Sequence, residues 1–440
     1  MASTQLHRTP SGAGNRKTFT ISFWVKRSKL SSGQYIAHIG NQEANPQAGI
    51  EWTSNDRFQF WNHGSSGSSK NLTTTRKFRD TSGWYHFVIA VDTTQATESN
   101  RVKIYVNGVQ ETIFDTEVYP DQNYNYEWNS TQRHTIGAYY NNQSYFDGLL
   151  SHIHFIDGTA YAASTFGSTD STTGEWKINT SPSVTYGSNG FFILKDGNSV
   201  TDQSGNSNNF TVAGGTLSNT EDCPDNVFAV LNPLGNKNAN NTLAHGNTQH
   251  SCSTNWCGFA SSIGALAGKY YAEIKVTDKD NVSMGVCQSN GDTFTNLSTA
   301  NNNRIGKYND GWGWDGNGSS YQKYHDSSAS NYGSALSNND IFMIAVDVTG
   351  GKIYFGKNGT WFDSSDPANG TNPAFTGETF TQSIHFASGS ETGVLQWNFG
   401  NGFFGSTAIS SEGTNASGIG KFEYNVPTGY TALSTKGLNE

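Results

Sequence analysis

The stretch IAVDTTQATESNRVKIYVNG at residues 89–108 decides the fold. Two apolar runs in it are joined by polar residues and close on Asn107-Gly108, and residues 344–359 repeat this plan as IAVDVTGGKIYFGKNG. Asn and Gly accept the positive φ that tight turns impose, so each stretch predicts an antiparallel hairpin. Because one supersecondary unit occurs twice, far apart in the chain, we expect two separate sandwiches of similar plan.

The composition favours an all-β protein. The chain has 440 residues, enough for two or three domains with hydrophobic cores of their own. Glycine is abundant at 49, aromatic residues reach 13% and charged residues only 14%, a balance that favours short strands and polar turns over helices. We therefore predict antiparallel β-sandwiches in tandem, with long polar loops and very little helix.

Charge and hydropathy exclude several classes of partner. The net charge of −9 and the pI near 5.6, without a long Lys/Arg cluster, argue against nucleic-acid binding. Membrane insertion is not expected, because no run approaches the roughly 20 apolar residues that cross a bilayer. Residues 1–18 are polar and lack the apolar core of a secretory signal. We therefore expect synthesis in a cytoplasm.

The first half resembles the laminin-G/pentraxin-like branch of the concanavalin A-like lectin superfamily. The resemblance is carried by five segments whose order is specific: residues 19–25, 83–92, 104–108, 136–137 and 146–153. It implies a jelly-roll sandwich over residues 1–215. A turn of the form D-x-S-G-N-x-N at residues 202–208 resembles the opening of such a sandwich, yet here it comes late. Residues 186–213 are thus predicted to complete the first domain from its C-terminal side, or to form an independent hairpin.

The second half resembles the SPRY (B30.2) family, which is another concanavalin A-like sandwich. The segments that carry the resemblance are residues 270–274, 285–286, 311–316, 339–347, 353–359 and 398–404. We expect a connector at 216–267, the SPRY-like sandwich at 268–405 and a C-terminal tail at 406–440. Gly402 stands where the family usually has Pro, a departure that concerns loop stiffness more than fold.

The four cysteines all lie in the second half. Cys252 and Cys257 are spaced C-x4-C, without a nearby His pair to complete a zinc site. We expect buried or free thiols, with a Cys252–Cys257 disulfide and metal ligation as the alternatives.

The sequence offers no catalytic constellation, and we expect a protein that is not an enzyme. Glucanases of this fold carry an E-x-D-x-x-E trio on one strand, because glycoside hydrolysis needs two carboxylates at a set separation, and this chain has no such trio. G-x-S-x-G, Walker and H-E-x-x-H motifs are missing as well. An H-x-H pair at His152 and His154 is interpreted as structural, on the solvent side of a strand.

Two patches of aromatic residues interleaved with Asn and Asp are candidates for carbohydrate binding or for subunit contact. Rings cover the apolar faces of sugars, and Tyr and Trp are also enriched at protein interfaces. Core packing is the third interpretation and fits Trp312 and Trp314 best. The first patch is Tyr124, Tyr126, Trp128, Tyr139, Tyr140 and Tyr145, and the second is Trp312, Trp314, Tyr321 and Tyr324.

No cofactor is expected, apart from a candidate calcium site. Asp202, Ser204 and Asn206 have oxygen ligands at a spacing that suits a calcium loop. Formation of a turn explains the same three residues without a metal.

A laminin-G-like sandwich joined to a SPRY-like one resembles the structural and fibre proteins of marine bacteriophages. This resemblance implies a virion protein (fibre, tail-associated or capsid-decorating) made in the host cytoplasm. Its expected partners are other virion proteins, further copies of itself, with a trimer as the guess, and a host-surface glycan. A free bacterial carbohydrate-binding protein is the alternative, and a peptide-capturing adaptor is the third reading.

Overall fold

A computed structural model of the chain describes residues 3–41, 45–65, 69–140, 142–195, 197, 199–235, 241–253, 256–289, 291–293, 304–316 and 321–440. The chain divides into two compact units, Met1–Asn219 and Thr220–Glu440, called here the N-terminal and C-terminal domains. Both are built from antiparallel sheets, and the only helical elements within the described ranges of the two domains are single turns. The predicted fold class is therefore confirmed.

The N-terminal domain consists of two sheets packed face to face. One sheet has the strand order β10-β6-β5-β4-β3-β11-β1-β16, and the other has the order β15-β12-β2-β7-β8-β9. A short pair, β13 and β14, forms no backbone ladder with either sheet. The strands are β1 Gln5–Arg8, β2 Thr18–Arg27, β3 Gln34–Ile39, β4 Gln47–Trp52, β5 Arg57–His63, β6 Ser69–Lys77, β7 Tyr85–Asp92, β8 Val102–Val106, β9 Val109–Gln110, β10 Phe114–Val118, β11 His134–Ile136, β12 Gly148–Asp157, β13 Gly167–Thr169, β14 Trp176–Ile178, β15 Phe191–Ile193 and β16 Thr211–Gly214.

Aromatic rings fill the core between these two sheets. Phe23 of β2 stacks on Phe87 of β7 with ring centroids 5.6 Å apart, and Phe58 of β5 stacks on Phe87 at 4.1 Å. Such pairs stabilise by about 0.5–1.5 kcal/mol beyond the burial of their area. The odd-numbered residues of β2 from Phe19 to Val25 thus lie in the core.

A second layer covers the outer face of the six-stranded sheet. Trp24 and His86 stack there at 4.7 Å, and Trp176 Nε1 donates a hydrogen bond to His86 Nδ1 at 3.0 Å. The other ring nitrogen of His86 therefore carries the proton and donates to Ser22 Oγ at 2.9 Å. Burial lowers the pKa of His86 to about 3, so this imidazole stays neutral. Both faces of β2 are consequently buried.

The late segment at residues 186–213 does not form a hairpin with itself. Its first strand, β15, pairs with β12 in one sheet, and its second strand, β16, pairs with β1 in the other. One strand is thus added to the edge of each sheet. The alternative of an independent hairpin between the domains is therefore wrong.

A β-bulge interrupts β12 and corrects the interpretation of its histidines. The register with β2 shifts between Ser151 and His154, and His152 has a φ of 49°. His154 is 2% exposed and stacks on Phe192 at 3.9 Å. His152 and His154 are therefore not an equivalent pair on the solvent side, because the bulge breaks the two-residue alternation on which that interpretation depended.

The C-terminal domain has the same kind of architecture. Its main sheet has the order β17-β18-β30-β20-β25-β26-β27, with β28 on β26 and β33 on β20, and it packs on a sheet of order β19-β29-β21-β22-β23-β24. β31 and β32 form a separate pair. The strands are β17 Asn241–Ala244, β18 Gln249–Cys252, β19 Cys257–Ala260, β20 Lys269–Asp278, β21 Val282–Gln288, β22 Gly311–Gly316, β23 Gln322–His325, β24 Ser328–Asn331, β25 Ile341–Asp347, β26 Lys352–Lys357, β27 Thr360–Trp361, β28 Phe375–Thr376, β29 Ile384–Ser390, β30 Val394–Asn398, β31 Phe403–Phe404, β32 Thr407–Ala408 and β33 Thr431–Ala432.

The repeated sequence unit is a repeated structural unit. β2-β7-β8-β9 and β20-β25-β26-β27 are runs of antiparallel neighbours in the same order. Asn107 has a φ of 47° and accepts the His86 N–H on its side-chain oxygen at 2.8 Å. Asn358 has a φ of 50° and accepts the Ile341 N–H in the same way at 2.8 Å. The two predicted hairpins are confirmed, down to the side chain that holds each turn.

Two segments expected to lie outside the SPRY-like sandwich are part of it. The predicted connector at 216–267 contributes β17, β18 and β19 to the two sheets. The predicted tail at 406–440 lies on the outer face of the main sheet, where Phe422 and Tyr430 are buried beside Tyr271. These segments were missed because their apolar runs are only a few residues long.

Glu273 fastens the C-terminal segment to the main sheet. One carboxylate oxygen accepts the Glu423 N–H at 2.9 Å, and the other accepts the Tyr424 N–H at 2.8 Å. Burial raises the pKa of Glu273 to about 7, although these hydrogen bonds oppose the increase. A single side chain of β20 thus satisfies two backbone donors of a segment 150 residues away.

The cysteine expectation is wrong for one pair. Cys252 and Cys257 form a disulfide with Cα atoms 6.1 Å apart. β18 ends at the first cysteine and β19 begins at the second, so the chain crosses from one sheet to the other within four residues. This crossing brings the two Cα atoms within the range that a disulfide requires. Cys223 and Cys287 are free, and Cys287 is buried.

Candidate functional site

Three of the six rings of the first predicted patch lie in the core or pack against it. Tyr126 and Trp128 are 2% and 3% exposed, and Tyr126 stacks on Phe60 at 5.6 Å. Tyr124 is partly buried against the same core, and its hydroxyl accepts a hydrogen bond from Asn62 at 2.9 Å. Tyr126 and Trp128 therefore present no face to a ligand. The interleaved Asn residues suggested a polar loop, but the chain turns these rings inward.

Half of the second predicted patch lies in the core, as the core-packing interpretation of Trp312 and Trp314 expected. Trp312 and Trp314 are 2% and 0% exposed, because β22 is buried on both faces. Trp314 Nε1 donates to the Tyr332 carbonyl at 3.0 Å. Tyr324 is half-buried, and Tyr321, with 36% of its surface accessible, is the more exposed of the two tyrosines. This patch therefore offers single rings and no continuous aromatic surface.

The remaining tyrosines lie over the outer face of the eight-stranded sheet, among residues that the sequence did not single out. Tyr139 and Tyr140 are 4.7 Å apart and half-buried. Tyr145, also half-buried, bridges to Tyr35 through the backbone. We call the resulting group the outer-face cluster, and it comprises Tyr35, His38, Gln47, Glu51, Trp61, Arg133, Tyr139 and Tyr140.

Three strands build the floor of the outer-face cluster. The register between β3 and β4 shifts between Tyr35 and Ala37. This bulge brings Tyr35 and His38 onto one face, where strict alternation would separate them. Trp61 of β5 lies across Gly49 of β4, where an added Cβ would come within 2.8 Å of the indole. Gly49 thus makes room for the indole.

The rings of the cluster are held in a fixed arrangement. Tyr139 packs on Tyr35 at 4.7 Å and on His38 at 4.5 Å. Gln47 ties them together, since its side-chain oxygen accepts from His38 Nε2 at 3.2 Å and from the Tyr139 hydroxyl at 3.1 Å. Arg133 donates to the Tyr140 carbonyl at 2.5 Å. The surface is therefore preorganised before any ligand arrives.

Burial also shifts the pKa values of two groups in the cluster. It lowers the pKa of His38 to about 4, so this imidazole is neutral near neutral pH. Burial raises the pKa of Glu51 to about 7, against the opposing hydrogen bonds of Tyr35 and Trp61. Near neutral pH the Glu51 carboxyl group is therefore partly protonated. It can donate a hydrogen bond when protonated and accept one when charged.

The chemistry available in the cluster is that of binding. Half-buried rings can cover the apolar face of a sugar, and the amide, carboxyl and guanidinium groups beside them can bond its hydroxyls. Glu51 is the only carboxyl group among the eight residues that define the cluster, whereas glycoside hydrolysis uses a pair.

The candidate calcium loop is a hydrogen-bonded turn. One oxygen of Asp202 accepts the N–H groups of Phe192 and Ser204, and the other accepts the Ser204 hydroxyl and the Asn208 N–H. Asn206 directs its amide nitrogen at two carbonyls, those of Gly187 and Gly190. The acceptors of Asp202 and the donors of Ser204 and Asn206 thus close the turn without a metal.

The described ranges contain neither a cluster of metal-ligating side chains nor a helix that could cross a membrane. Among those residues, no group of three or more His, Cys, Asp or Glu side chains is arranged to hold a metal ion. Within the same ranges, no helix is long and apolar enough to span a membrane.

Comparison with known families agrees with both resemblances. Residues 2–164 match the Laminin_G_3 model of the concanavalin A-like lectin/glucanases superfamily, and residues 269–401 match the SPRY domain model. Domains of these two kinds are β-sandwich modules for binding or interaction. No curated protein gives a significant match to the chain.

Several solved structures are similar to part of the chain. The TRIM65 PSpry domain is 18% identical, with 39% of this chain and 88% of that chain covered and a TM-score of 0.30. The SPRY domain of human HERC1 is 15% identical, with 34% and 87% covered and a TM-score of 0.26. The native heptameric SAP-like pentraxin from Limulus polyphemus is 16% identical, with 37% and 72% covered and a TM-score of 0.27.

Proposed function

Because this chain joins a laminin-G-like domain of the concanavalin A-like superfamily to a SPRY domain, we propose that it is a non-enzymatic structural protein of a bacteriophage virion. In this role it is a fibre, tail-associated or capsid-decorating component. Its loops and sheet faces contact a host-surface glycan or a neighbouring subunit.

The outer-face cluster carries the binding part of the proposal. It combines half-buried Tyr35, Tyr139 and Tyr140 with the amide of Gln47 and the carboxyl of Glu51. The rings are fixed by Trp61 and His38 beneath them, so binding a sugar would order few additional side chains. A preorganised set of tyrosine rings with polar groups beside it suits a neutral saccharide.

Rigidity supports the structural part of the proposal. In each domain, one sheet is covered on its outer face as well as in the sandwich core. Residues around Phe166 and Trp176 do this in the N-terminal domain, and residues around Phe422 and Tyr430 do so in the C-terminal domain. Three packed layers make a stiff scaffold, which suits a particle surface.

Glycan-array binding of the intact protein tests the glycan proposal. We expect Tyr139→Ala to weaken the best array ligand at least tenfold, about 1.4 kcal/mol, because the ring contacts both Tyr35 and His38. Tyr321→Ala removes an exposed ring of the other domain and is the matched control. Equal binding by both variants and the unchanged protein would contradict the assignment of the cluster.

Mass photometry separates the virion protein from its alternative. A defined homo-oligomer, with a trimer as the specific expectation, supports a particle component. A monomer that binds glycans supports a free bacterial carbohydrate-binding protein instead.

A further inference from the structure

A concave site lies at the edge of the N-terminal domain and is lined by residues other than those of the outer-face cluster. It is a groove of about 440 Å³ between the end of β1 and the turn that precedes β16. Its lining is polar and contains no carboxylate. The residues that line it are His7, Arg8, Thr9, Pro10, Ser11, Ser207, Asn208, Asn209 and Thr211.

Arg8 is the charged group of this groove, and its charge is not paired. Its guanidinium donates to the Asn208 side-chain oxygen at 2.5 Å and to the Asn189 carbonyl at 3.3 Å, which are both neutral acceptors. The ion pairs found among the described residues do not include Arg8. Its side chain also lies over Phe191, with the guanidinium carbon 5.9 Å from the ring centroid.

The nearest candidate counter-charge, Asp202, is already engaged. Its carboxylate raises the pKa of Arg8 from a distance, which opposes the larger lowering by burial. Both of its oxygens, however, accept hydrogen bonds from the turn at Ser204 and Asn208 and from Phe192. Asp202 therefore balances part of the positive charge of Arg8, but it does not occupy the remaining N–H donors of Arg8.

We propose that this groove binds the acidic group of an acidic saccharide, with Arg8 as the anion-binding residue. A guanidinium held by neutral acceptors keeps its orientation and retains donors for a carboxylate or sulfate. The hydroxyls of Thr9 and Ser11 and the amide of Asn209 line the same groove and can bond sugar hydroxyls. The preference of the groove for an anion depends on Arg8 alone. The proposal that the anion belongs to a saccharide rests on the proposed function.

Calorimetric titration of the intact protein at low salt tests this proposal. The probes are trigalacturonate, neutral galactotriose and sodium sulfate, which distinguish a carboxylate, an uncharged sugar and a free anion. We expect trigalacturonate to bind at least tenfold more tightly than galactotriose, because a charge-assisted hydrogen bond contributes more than a neutral one. Sulfate should compete with trigalacturonate.

Three variants locate the binding. Arg8→Met removes the charge from the groove. Ser11→Trp fills the groove and leaves the hydrogen bonds of Arg8 intact. The second variant keeps the test valid if Arg8→Met fails to fold. Both should lose at least tenfold in affinity for trigalacturonate. Arg57→Met is the matched control, since Arg57 is an arginine of the same domain paired with Asp115, and its affinity should stay unchanged.

The outcomes separate this proposal from the proposed function. Equal affinity for the acidic and neutral sugars, or trigalacturonate binding that survives both groove variants, overturns the anion site. If galactotriose or array glycans bind through Tyr139 in that case, the proposed function stands. If the two groove variants abolish trigalacturonate binding while Tyr139→Ala changes the binding of no glycan, the groove stands and the outer-face cluster is refuted.

Discussion

Replacing Asp56 by Asn should destabilise the N-terminal domain strongly. The side chains of Asp56 and Arg27 are 1% and 0% exposed and contact each other at 3.1 Å. Arg27 also donates to the Phe78 carbonyl and lies over the Trp52 ring at 4.5 Å. Burial alone would raise the pKa of Asp56, but hydrogen bonds from Ser31, Arg79 and Arg27 hold it below its usual value. Arg27 would keep its charge after the substitution and lose its counter-charge.

The expected cost follows from this geometry. Breaking a buried ion pair on one side costs roughly 3–5 kcal/mol, since the surviving charge stays desolvated. Asp56 has a φ of 63°, which Asn adopts as readily as Asp, so the backbone contributes little to the difference. With a denaturant dependence of about 2 kcal/mol per molar urea, the unfolding midpoint should fall by roughly 2 M.

Urea titration of the intact protein measures this change. Hydrogen exchange of peptides from residues 47–63 reports on the N-terminal domain separately from the C-terminal one. Asp115→Asn is the matched control, because Asp115 forms an ion pair with Arg57 at the surface and is 48% exposed. It should cost less than about 1 kcal/mol. If the two variants shift the midpoint equally, the reasoning about the buried pair is refuted.

Two further predictions concern acid and the C-terminal segment. Because burial lowers the pKa of His38, His86 and His134 to about 4, 3 and 4, unfolding takes up their protons as the pH falls below 6.5. Glu51, with its pKa raised to about 7, releases one proton on unfolding in that range. The net uptake by these four groups is therefore at most two protons, and the N-terminal domain should lose roughly 2 kcal/mol per pH unit between pH 6 and 5. Stability that is constant or rises, measured by urea unfolding, would contradict this. Glu273→Ala should leave two backbone donors unpaired and lower the free energy of unfolding of the C-terminal domain by roughly 3 kcal/mol. Proteolysis within residues 413–434 should become faster in this variant, but not in a control variant, Glu412→Ala, at an exposed position. Equal rates in the two variants would exclude the role of Glu273.

The sequence predicts those parts of the fold that depend on local chemistry. The turn residues Asn107 and Asn358 follow apolar runs, so both hairpins and the strands around them could be inferred before the structure was known. The partners of β16 and β33 could not be inferred. β16 pairs with β1, whose residues lie more than 200 positions earlier in the chain, and β33 has only two residues, Thr431 and Ala432. No local pattern encodes such pairings.

The candidate site was only partly predictable, and the reason is again non-local. Tyr139 and Tyr140 stood out because they are adjacent rings among polar residues. Tyr35 and His38 did not, since their spacing of three places them on opposite faces of a regular strand and only the bulge in β3 unites them. Trp128 was misassigned because composition alone does not show whether a ring points inward.

The repeated hairpin also bears on the order of events during synthesis. In each domain its strands are close in sequence, so contact between them needs only a short loop to close and can form early. The strands that finish each domain emerge much later: the N-terminal domain must wait for Phe191–Ile193 and Thr211–Gly214, and the C-terminal domain for Thr431–Ala432. A nascent chain that stalls near residue 164 would therefore carry a formed hairpin and two sheet edges that lack their last strand. In this state the chain exposes unpaired edge strands, to which a partner chain or a chaperone can bind.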